Sequence, residues 1–330
     1  MNNKIRVGIM GYGNLGRGVE LAINQQEDME LIAIFSRRGS EGVQPVNSKV
    51  KVDFADQAIN YQDQIDVMIL CGGSATDLPQ QTPEYAQYFD VVDSFDNHSK
   101  IPEHFASVDQ VANQHQHVAI ISGGWDPGLF SLNRVIADAV LAQGETYTFW
   151  GKGLSQGHSD AVRRIQGVKY AVQYTIPSQE AIDQVRQGLG PELTTGDKHQ
   201  REVYLVIEEG ADKQAIEQEI VTMPGYFADY QTQVNFIDEA TFKADHTTMP
   251  HGGFVIRSGQ TGEKLEHNQV YEFNLTLDSN PEFTASVLVA LARASQRMKQ
   301  LELYGAHSIL DVAPAWLSAK SGDELRKNYL

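Results

Sequence analysis

The sequence predicts an α/β protein of two domains: a doubly wound parallel sheet, followed by an α+β domain whose sheet is largely antiparallel. Two observations predict this. In the first third of the chain, short runs that are apolar on both faces alternate with amphipathic stretches, which is typical of a parallel sheet covered by helices on both sides. Beyond about residue 128, apolar and polar residues alternate within the strands, which indicates a sheet with one solvated face.

The first domain contains five predicted strands with helices between them. The strands are Lys4–Met10, Met29–Phe35, Val67–Cys71, Phe89–Val92 and His117–Ile121. The helices are Asn14–Gln25, Thr82–Tyr88 and Pro102–Gln114. In a doubly wound sheet, ligands bind in the crevice at the carboxyl ends of the strands. We therefore expect the site in the loops that follow these strands.

The second domain begins with a predicted helix at Leu129–Leu141 and continues with alternating strands. The clearest strand is Tyr271–Asp278, where four apolar residues interleave with polar ones. Glu202–Ile207 and Gln231–Ile237 are similar but less regular. This alternation favours an antiparallel sheet in the second domain.

The closing segment, Phe283–Gln300, is predicted to be a helix that packs back on the first domain. We therefore assign residues 1–127 and about 281–330 to the first domain, and residues 128–280 to the second. Gly39–Ser48 is the stretch that we expect to form a flexible loop.

A glycine-rich turn, Gly11-Tyr12-Gly13-Asn14-Leu15-Gly16, follows the first strand and begins the first helix. It matches the G-x-G-x-x-G fingerprint of Rossmann-type domains. Gly11 permits the tight turn, Gly13 lets a pyrophosphate approach the backbone, and Gly16 allows the helix to pack closely on the strand. The free N–H groups of the helix N-terminus can then bind the phosphate. This context predicts a dinucleotide cofactor.

The end of the second strand distinguishes between the two dinucleotides. An NAD-dependent protein usually has Asp or Glu here to hold the ribose 2′-hydroxyl. This chain instead has Phe35-Ser36-Arg37-Arg38, without a carboxylate. Two guanidinium groups and a hydroxyl suit a 2′-phosphate, so we predict NADP. The alternative is that the two arginines only solubilise a loop.

Two further glycine clusters follow strands of the first domain. They are Cys71-Gly72-Gly73-Ser74 and Gly123-Gly124-Trp125-Asp126-Pro127-Gly128. Backbone that carries no side chain can approach a cofactor closely, so we expect contact at both clusters. Such clusters are often only turns, which is the alternative.

Composition and charge exclude several classes of function. The formal net charge of −17 argues against nucleic-acid binding, which needs a basic surface. Cys71 is the only cysteine, so an internal disulfide is impossible, and we predict no metal site. The apolar stretch Ile5–Met10 is too short for a signal peptide, and no run reaches the roughly 18 apolar residues of a membrane span. We expect a soluble, cytoplasmic protein without a membrane partner.

Several longer motifs are more specific than the glycine fingerprint. They are Gly-Tyr-Gly-Asn-Leu-Gly-Arg at 11–17, Phe-Ser-Arg-Arg at 35–38, Trp-Asp-Pro-Gly at 125–128, Phe-Trp-Gly at 149–151, Leu-Ser-Gln-Gly-His-Ser-Asp at 154–160, Val-Asn-Phe-Ile-Asp-Glu-Ala-Thr-Phe at 234–242, Met-Pro-His-Gly-Gly at 249–253 and Asn-Pro-Glu-Phe-Thr-Ala at 280–285. In order and spacing, and over nearly the whole chain, they resemble the meso-diaminopimelate dehydrogenase family.

The resemblance implies an NADP-dependent oxidoreductase that reversibly removes the amino group from the D centre of meso-2,6-diaminopimelate. The products would be L-2-amino-6-oxopimelate, which can cyclise to tetrahydrodipicolinate, with ammonium and NADPH. The reverse reaction would supply lysine and cell-wall precursor synthesis. The resemblance also implies a homodimer, a second domain that binds substrate and dimerises, and a nucleotide domain that the C-terminal segment completes.

The resemblance implies site residues of three kinds. The predicted cofactor-binding residues are Gly11, Tyr12, Gly13, Asn14, Leu15, Ser36, Arg37, Arg38, Cys71, Gly72, Gly73, Ser74, Ser94, Phe95, Asp96, Gly123, Gly124, Trp125, Asp126 and Pro127. Around the reacting centre it places Asp96, Trp125, Asp126 and Trp150. At the substrate carboxylates, mainly the distal one, it places Thr175, Arg201, His251 and Asn280, with Gln156 and Gly157 between.

The chemistry accounts for these residue types. A guanidinium fork with hydroxyl, imidazole and amide donors suits a carboxylate, and carboxylates suit an ammonium group. Our hypothesis is that Asp126, with Asp96, orients the ammonium and accepts or relays its proton, because hydride cannot leave while the nitrogen is fully protonated. Either aspartate could instead serve only as an ammonium ligand.

Each site residue also has a structural alternative. Asp96 and Asp126 could cap nearby helices, and Trp125 and Trp150 could fill a core. Arg201 could form a surface ion pair, and His251 could be a structural histidine whose hydrogen bonds are satisfied within the protein.

Two other classes of protein remain as alternatives. One is another two-domain NADP-dependent reductase, similar to dihydrodipicolinate reductase or homoserine dehydrogenase. The other is a non-catalytic protein that senses NADP(H), which would need the glycine turn and Arg37 but not a polar crevice containing Asp126, Thr175 and Arg201.

Overall fold

A computed structural model describes residues 4–188 and 190–330 of the chain. It divides into two compact units: one runs to Leu132 and resumes with Pro281–Leu330, and the other is Asn133–Asn280. The first unit extends five residues beyond the sequence-predicted end at residue 127, because Leu129 and Leu132 pack against its core.

The secondary structure in chain order is as follows. The strands are β1 Ile5–Met10, β2 Met29–Ser36, β3 Lys51–Phe54, β4 Val67–Leu70, β5 Asp90–Asp93, β6 Val118–Ile120, β7 Gly144–Trp150, β8 Gly153–Leu154, β9 Val168–Pro177, β10 His199–Ile207, β11 Thr232–Phe236, β12 His251–Thr261, β13 His267–Leu277 and β14 Gly305–His307. The helices are α1 Asn14–Asn24, α2 Leu78–Tyr85, α3 Ile101–His115, α4 Leu129–Val140, α5 Gln156–Arg163, α6 Gln179–Arg186, α7 Thr195–Lys198, α8 Lys213–Val221, α9 Glu239–Asp245, α10 Asn280–Gln300, α11 Pro314–Leu317 and α12 Gly322–Tyr329. Short 3-10 helices lie at Ala55–Tyr61, His98–Lys100 and Ile309–Asp311.

The first unit contains a parallel seven-stranded sheet in the order β14-β6-β5-β4-β1-β2-β3. This order confirms the predicted doubly wound sheet, although β3 and β14 were not predicted. Alternate residues of one strand enter different cores: Val7 and Ile9 lie in one cluster, and Met10 lies in the other. Burial on both faces explains why these strands are continuous apolar runs.

Helix α10 packs on the core of the first unit. Its residues Leu288, Leu291 and Ala292 are buried in the cluster that contains Val7 and Ile9. The last strand of the sheet, β14, comes after this helix, so the C-terminal segment completes the sheet of the first unit.

The second unit contains two smaller sheets. One has the order β11-β10-β9-β8 and the other β13-β12-β7. All neighbouring strands are antiparallel except β10 and β11, which confirms a largely antiparallel domain. The parallel pair arises because α8 lies between β10 and β11 in the chain, and two parallel strands need a crossover connection.

One helix is shifted from its predicted position, and one predicted loop has a specific contact. The helix predicted at Thr82–Tyr88 is Leu78–Tyr85, with a proline in its first turn, where a missing N–H costs no hydrogen bond. The loop Gly39–Ser48, predicted to be flexible, is held near its end by the buried carboxylate of Glu20, which accepts hydrogen bonds from the backbone N–H groups of Val46 and Asn47 at 3.0 and 2.7 Å.

Among the described residues, every helix is too short or too polar to cross a bilayer.

Candidate active site

The glycine-rich turn between β1 and α1 has the geometry of a phosphate-binding turn. Gly11 has φ of +90°, a conformation that favours glycine. A methyl group on Gly16 would overlap the carbonyl oxygen of Gly11, so only glycine allows this packing. The Cβ position of Gly13 faces open space, with no atom within 4 Å. Gly13 is also the N-cap of α1 and supplies no capping side chain, which leaves room for an anion at the helix N-terminus.

A cavity of about 260 Å³ adjoins this turn in the first unit. It lies at the carboxyl ends of β1, β2, β3 and β4, where a doubly wound sheet binds its ligand. Its lining residues are Met10, Gly11, Tyr12, Gly13, Ser36, Arg37, Arg38, Ala55, Cys71, Gly72, Gly73, Asp77 and Gln81. The cavity therefore brings together the first glycine turn, the Ser-Arg-Arg segment and the second glycine cluster.

The two arginines at the end of β2 are held in different ways. Arg38 donates from Nη2 to the carbonyl oxygen of Tyr12 at 2.6 Å, and its backbone N–H donates to Ser36 Oγ at 3.2 Å. Arg37 pairs with Asp77 at 3.2 Å, and its side chain is 78% exposed. Guanidinium groups beside a hydroxyl at this position fit the 2′-phosphate of NADP.

Tyr12 is fixed from the opposite side by Glu20. The Tyr12 hydroxyl donates a short hydrogen bond to the Glu20 carboxylate, which is fully buried. Burial and this neighbouring carboxylate raise the pKa of Tyr12 to about 12. The phenol therefore stays protonated, and the glycine turn is joined to the loop that Glu20 holds.

The loops after β5 and β6 carry the two predicted aspartates. Asp96 is exposed, and its backbone N–H donates to Ser74 Oγ at 3.1 Å, so the predicted loops 71–74 and 94–96 are in contact. Trp125 is 7% exposed and packs edge-on against Phe130, with ring centroids 5.1 Å apart. Asp126 is half-buried. Both aspartates therefore lie at the carboxyl edge of the sheet.

The second unit contains a buried arginine with an unusual environment. Arg201 on β10 is 7% exposed and pairs in register with Thr175 on β9, to whose Oγ1 it donates a short hydrogen bond from Nη1. The ring of Tyr230 lies 4.0 Å from the guanidinium carbon. Arg201 Nε is buried without a hydrogen-bond partner among the described residues. Burial lowers the pKa of Arg201, since desolvation disfavours its charged form.

His251 lies beside the strand pair that contains Thr175, and Gln156 lies near Met249, two residues before His251. Gly153 on β8 pairs with Thr175, and any side chain on Gly153 would overlap the ring of His251. Gln156 begins α5, and its amide lies 3.6 Å from the sulfur of Met249.

Gly157 and Asn280 complete the predicted set in the second unit. Gly157 is exposed in the first turn of α5, with no atom within 4 Å of its Cβ position. The backbone N–H of Asn280 donates to the carbonyl oxygen of Met249 at 3.0 Å. The structure thus gathers Gln156, Thr175, His251 and Asn280 around the same strand ends.

Trp150 is held by a histidine that sequence reasoning did not identify. The backbone N–H of Trp150 donates to Nε2 of His199 at 2.8 Å, and the two rings stack 5.3 Å apart. His199 is almost fully buried, and burial lowers its pKa to about 4. Its neutral ring can therefore accept the hydrogen bond, which fixes Trp150.

Other residues of the site also lacked a signal in the sequence. Asp77, Gln81 and Ala55 line the dinucleotide cavity, and Tyr230 stacks on Arg201. Each reaches its place through tertiary contacts, and none belongs to a motif that predicts such a contact.

The fold and these two sites define a class of protein: a dinucleotide-dependent dehydrogenase with a cavity suited to NADP and a separate unit that contains a buried arginine. A family model described as the diaminopimelic acid dehydrogenase C-terminal domain matches residues 124–279. The chain is 60% identical over 326 residues to the meso-diaminopimelate D-dehydrogenase of Lysinibacillus sphaericus, covering 99% of both chains.

Two solved structures are similar along the whole chain. One is C. glutamicum DAP dehydrogenase in complex with DAP, with a TM-score of 0.90, 49% identity and coverage of 100% of both chains. The other is an engineered D-amino acid dehydrogenase bound to NADP+, with a TM-score of 0.85, 47% identity and coverage of 99% of this chain and 100% of that one. This chain belongs to the meso-diaminopimelate D-dehydrogenase family.

Proposed function

We propose that this protein is an NADP-dependent dehydrogenase that oxidatively deaminates the D centre of meso-2,6-diaminopimelate. The reaction converts the substrate, NADP+ and water into L-2-amino-6-oxopimelate, ammonium, NADPH and a proton. In the reverse direction it supplies the diaminopimelate from which lysine is made. Membership of the family supports the reaction, and the cavity with Ser36, Arg37 and Arg38 supports the choice of NADP.

The single observation in this structure that carries the proposal is that Arg201 is buried without a carboxylate partner among the described residues. In a chain of net charge −17, this guanidinium is buried beside a hydroxyl and a phenol ring, and no carboxylate of the described residues pairs with it. Burying an unpaired cation is costly, so an external anion is the natural partner. We assign the distal carboxylate of diaminopimelate to Arg201 and Thr175.

His251, Asn280 and Gln156 supply further donors for the same end of the substrate. Imidazole and amide groups complement a guanidinium fork because a carboxylate accepts about four hydrogen bonds. A substrate without the distal carboxylate would leave these polar groups unsatisfied, which gives selectivity against it.

At the reacting end, we assign the ammonium group to Asp126 and Asp96. When bound, NADP+ accepts a hydride from the carbon that carries the nitrogen. The aspartates orient the ammonium, and Asp126 removes one proton, so that the nitrogen lone pair can form the C=N bond as hydride leaves. Water then adds to the imine and ammonium departs. Trp125 and Trp150 pack against the substrate and shield it from bulk water.

Absorbance of the reduced nicotinamide tests the proposal directly. The purified protein is incubated with NADP+ and each stereoisomer of diaminopimelate in turn. We expect NADPH with the meso isomer, much less with the LL isomer, and slow turnover when NAD+ replaces NADP+. No NADPH with meso-diaminopimelate, or equal rates with homoserine, would refute the function.

We also propose that the protein is a cytoplasmic homodimer that forms through the second unit. In support, α4 exposes Ile136 and Val140, which lie four residues apart on one face of the helix, at 38% and 68%, and the edge strand β13 exposes Val270 at 45%. Apolar surface of this kind favours association. Light scattering of the wild type and of Val140→Asp tests this: we expect a dimer that the substitution weakens, and a monomeric wild type would contradict it.

A further inference from the structure

A buried carboxylate lies beneath the two loops that carry the predicted catalytic aspartates. Asp93 is the last residue of β5 and is 0% exposed. Its Oδ1 accepts hydrogen bonds from the backbone N–H groups of Phe95 at 3.0 Å and Ser122 at 2.8 Å. One carboxylate oxygen therefore joins the loop after β5, which leads to Asp96, to the loop after β6, which leads to Asp126.

The second oxygen of Asp93 is equally well held. Its Oδ2 accepts from Thr82 Oγ1 at 2.7 Å and lies 2.8 Å from Nε2 of His104. Because a carboxylate oxygen can only accept, His104 donates from Nε2. The ring of His104 also stacks on Phe95, with centroids 4.2 Å apart. Four donors thus fix both the position and the rotation of this carboxylate.

The loop after β6 needs such a restraint. Ser122 has φ of +55°, which is uncommon for a residue with a side chain and persists only where the surroundings enforce it. Its backbone N–H donates to the carboxylate of Asp93, and the N–H of Gly123 donates to the Asp93 carbonyl oxygen at 2.8 Å. Asp93 therefore holds the strained residue from which the chain continues to Trp125 and Asp126.

We propose that Asp93 is a positioning residue for the dehydrogenase reaction: it holds the loops that carry Asp96 and Asp126 in their reactive geometry. This inference rests on the proposed function. Asp93 is fully buried and its carboxylate is occupied by protein donors, so its effect on the rate comes through the two aspartates. Misplacing a catalytic group by about 1 Å can lower a rate roughly 100-fold. The glycine turn and the Ser36–Arg38 segment line the dinucleotide cavity without Asp93, so the affinity for NADP+ should change much less than the rate.

The same strand offers a matched control. Asp90, the first residue of β5, is 3% exposed and accepts a hydrogen bond from the backbone N–H of Val118 at 2.9 Å, with Gln296 and Lys299 as its other partners. Asp90 and Asp93 are thus two buried carboxylates that bind a backbone N–H at or after β6, at opposite ends of one strand. Only Asp93 lies at the carboxyl end, where the predicted site loops begin.

The experiment compares Asp93→Asn with Asp90→Asn. For Asp93→Asn we expect kcat for meso-diaminopimelate to fall roughly 10- to 100-fold. We expect a larger kinetic isotope effect with substrate deuterated at the D centre, because hydride transfer becomes slower, and a Kd for NADP+ within about threefold of wild type. For Asp90→Asn we expect lost stability, measured by Tm, but kcat and isotope effect close to wild type.

Amide hydrogen exchange supplies a readout that does not depend on turnover. We expect faster exchange at Phe95 and Ser122 in Asp93→Asn and unchanged exchange there in Asp90→Asn. If the wild type did not oxidise meso-diaminopimelate, the proposed function would fail, while the exchange rates would still report whether Asp93 holds the loops.

Thr82→Val is the second variant if Asp93→Asn does not fold. It removes one donor to Oδ2 at nearly constant volume, and we expect kcat to fall roughly 3- to 10-fold. Two results overturn the proposal: kcat of Asp93→Asn within threefold of Asp90→Asn, or kcat of Thr82→Val equal to wild type with unchanged exchange at Phe95.

Discussion

Replacing Arg201 by methionine separates the effect of this residue on the stability of the fold from its effect on substrate binding. Methionine keeps an unbranched side chain of similar reach under Tyr230 and removes the charge together with the hydrogen bond to Thr175. Because Arg201 has no carboxylate partner among the described residues and burial already lowers its pKa, little stabilisation is lost. We therefore expect Arg201→Met to be as stable as the wild type or more stable.

The expected loss is in substrate binding. A hydrogen bond to a charged group contributes about 1.5–3 kcal/mol, and every 1.4 kcal/mol is about tenfold in affinity. We therefore expect KM for meso-diaminopimelate to rise roughly 10- to 150-fold, with KM for NADP+ unchanged. A D-amino acid that lacks the distal carboxylate should lose no kcat/KM, because it never used the guanidinium.

Arg257→Met is the matched control in the same unit. Arg257 is 4% exposed, like Arg201, but it donates to the carbonyl oxygen of Leu141 at 2.6 Å and pairs with Asp138 at 3.0 Å. Its loss leaves the carbonyl oxygen of the buried Leu141 without this donor, whereas the exposed Asp138 is hydrated. We therefore expect a lower Tm and an unchanged KM. Steady-state kinetics and thermal melts of both variants decide the matter. An Arg201→Met protein with a Tm several degrees lower and a normal KM would refute our assignment.

Three further predictions follow from the geometry. Arg38→Ala should raise KM for NADP+ at least about tenfold and leave KM for NAD+ nearly unchanged, since only the 2′-phosphate needs this guanidinium; steady-state kinetics with both cofactors measure the ratio. Burial lowers the pKa of His199 to about 4 from 6.5, so as the pH falls His199 is protonated in the unfolded chain before it is protonated in the folded protein. The stabilisation that the neutral His199 contributes is therefore fully present above pH 6.5 and is lost as the pH falls toward 4. Urea denaturation of His199→Gln should therefore show roughly 2 kcal/mol less loss between pH 7 and pH 5 than the wild type, whereas exposed His267→Gln should behave as wild type. Gly16→Ala places a methyl group against the Gly11 carbonyl oxygen and should abolish NADP+ binding in a fluorescence titration; normal affinity would show that the turn is not the phosphate site.

Much of the fold was predictable because burial leaves a periodic pattern in the sequence. The five predicted strands of the first sheet are apolar on both faces, and β13 alternates because one face is solvated. The short strands β3 and β14 escaped prediction. Both are edge strands of the sheet: β3 reads Lys-Val-Asp-Phe with no fully buried residue, and β14 reads Gly-Ala-His, so neither forms the continuous apolar run that marks β4 and β6. The parallel pairing of β10 with β11 escaped for a related reason, since alternation alone does not specify strand direction.

The candidate site was predictable only where a motif contains it. The glycine turn and the Ser-Arg-Arg segment have a physical meaning in sequence, because a tight turn needs Gly11 and a phosphate needs cations. Thr175 and His251 came from the resemblance to a family, since neither their spacing nor their type marks a ligand. His199 and Asp93 had no signal of either kind. Their roles depend on which backbone N–H groups lie within 3 Å after folding.

The buried arginines show what the structure adds. Arg201, Arg257 and Arg293 are 7%, 4% and 4% exposed, so burial alone does not distinguish them. Arg293 pairs with Asp28 at 2.6 Å, and Arg257 pairs with Asp138, so both arginines have carboxylate partners within the fold and are structural. Among the residues that the structure describes, Arg201 has only a hydroxyl and an aromatic ring as partners, which cannot compensate a buried positive charge as a carboxylate does. A cation that the fold leaves uncompensated in an acidic protein favours an anionic ligand. Because the protein has a net charge of −17, an unpaired buried cation is an exception, which makes Arg201 the most informative residue of the second unit.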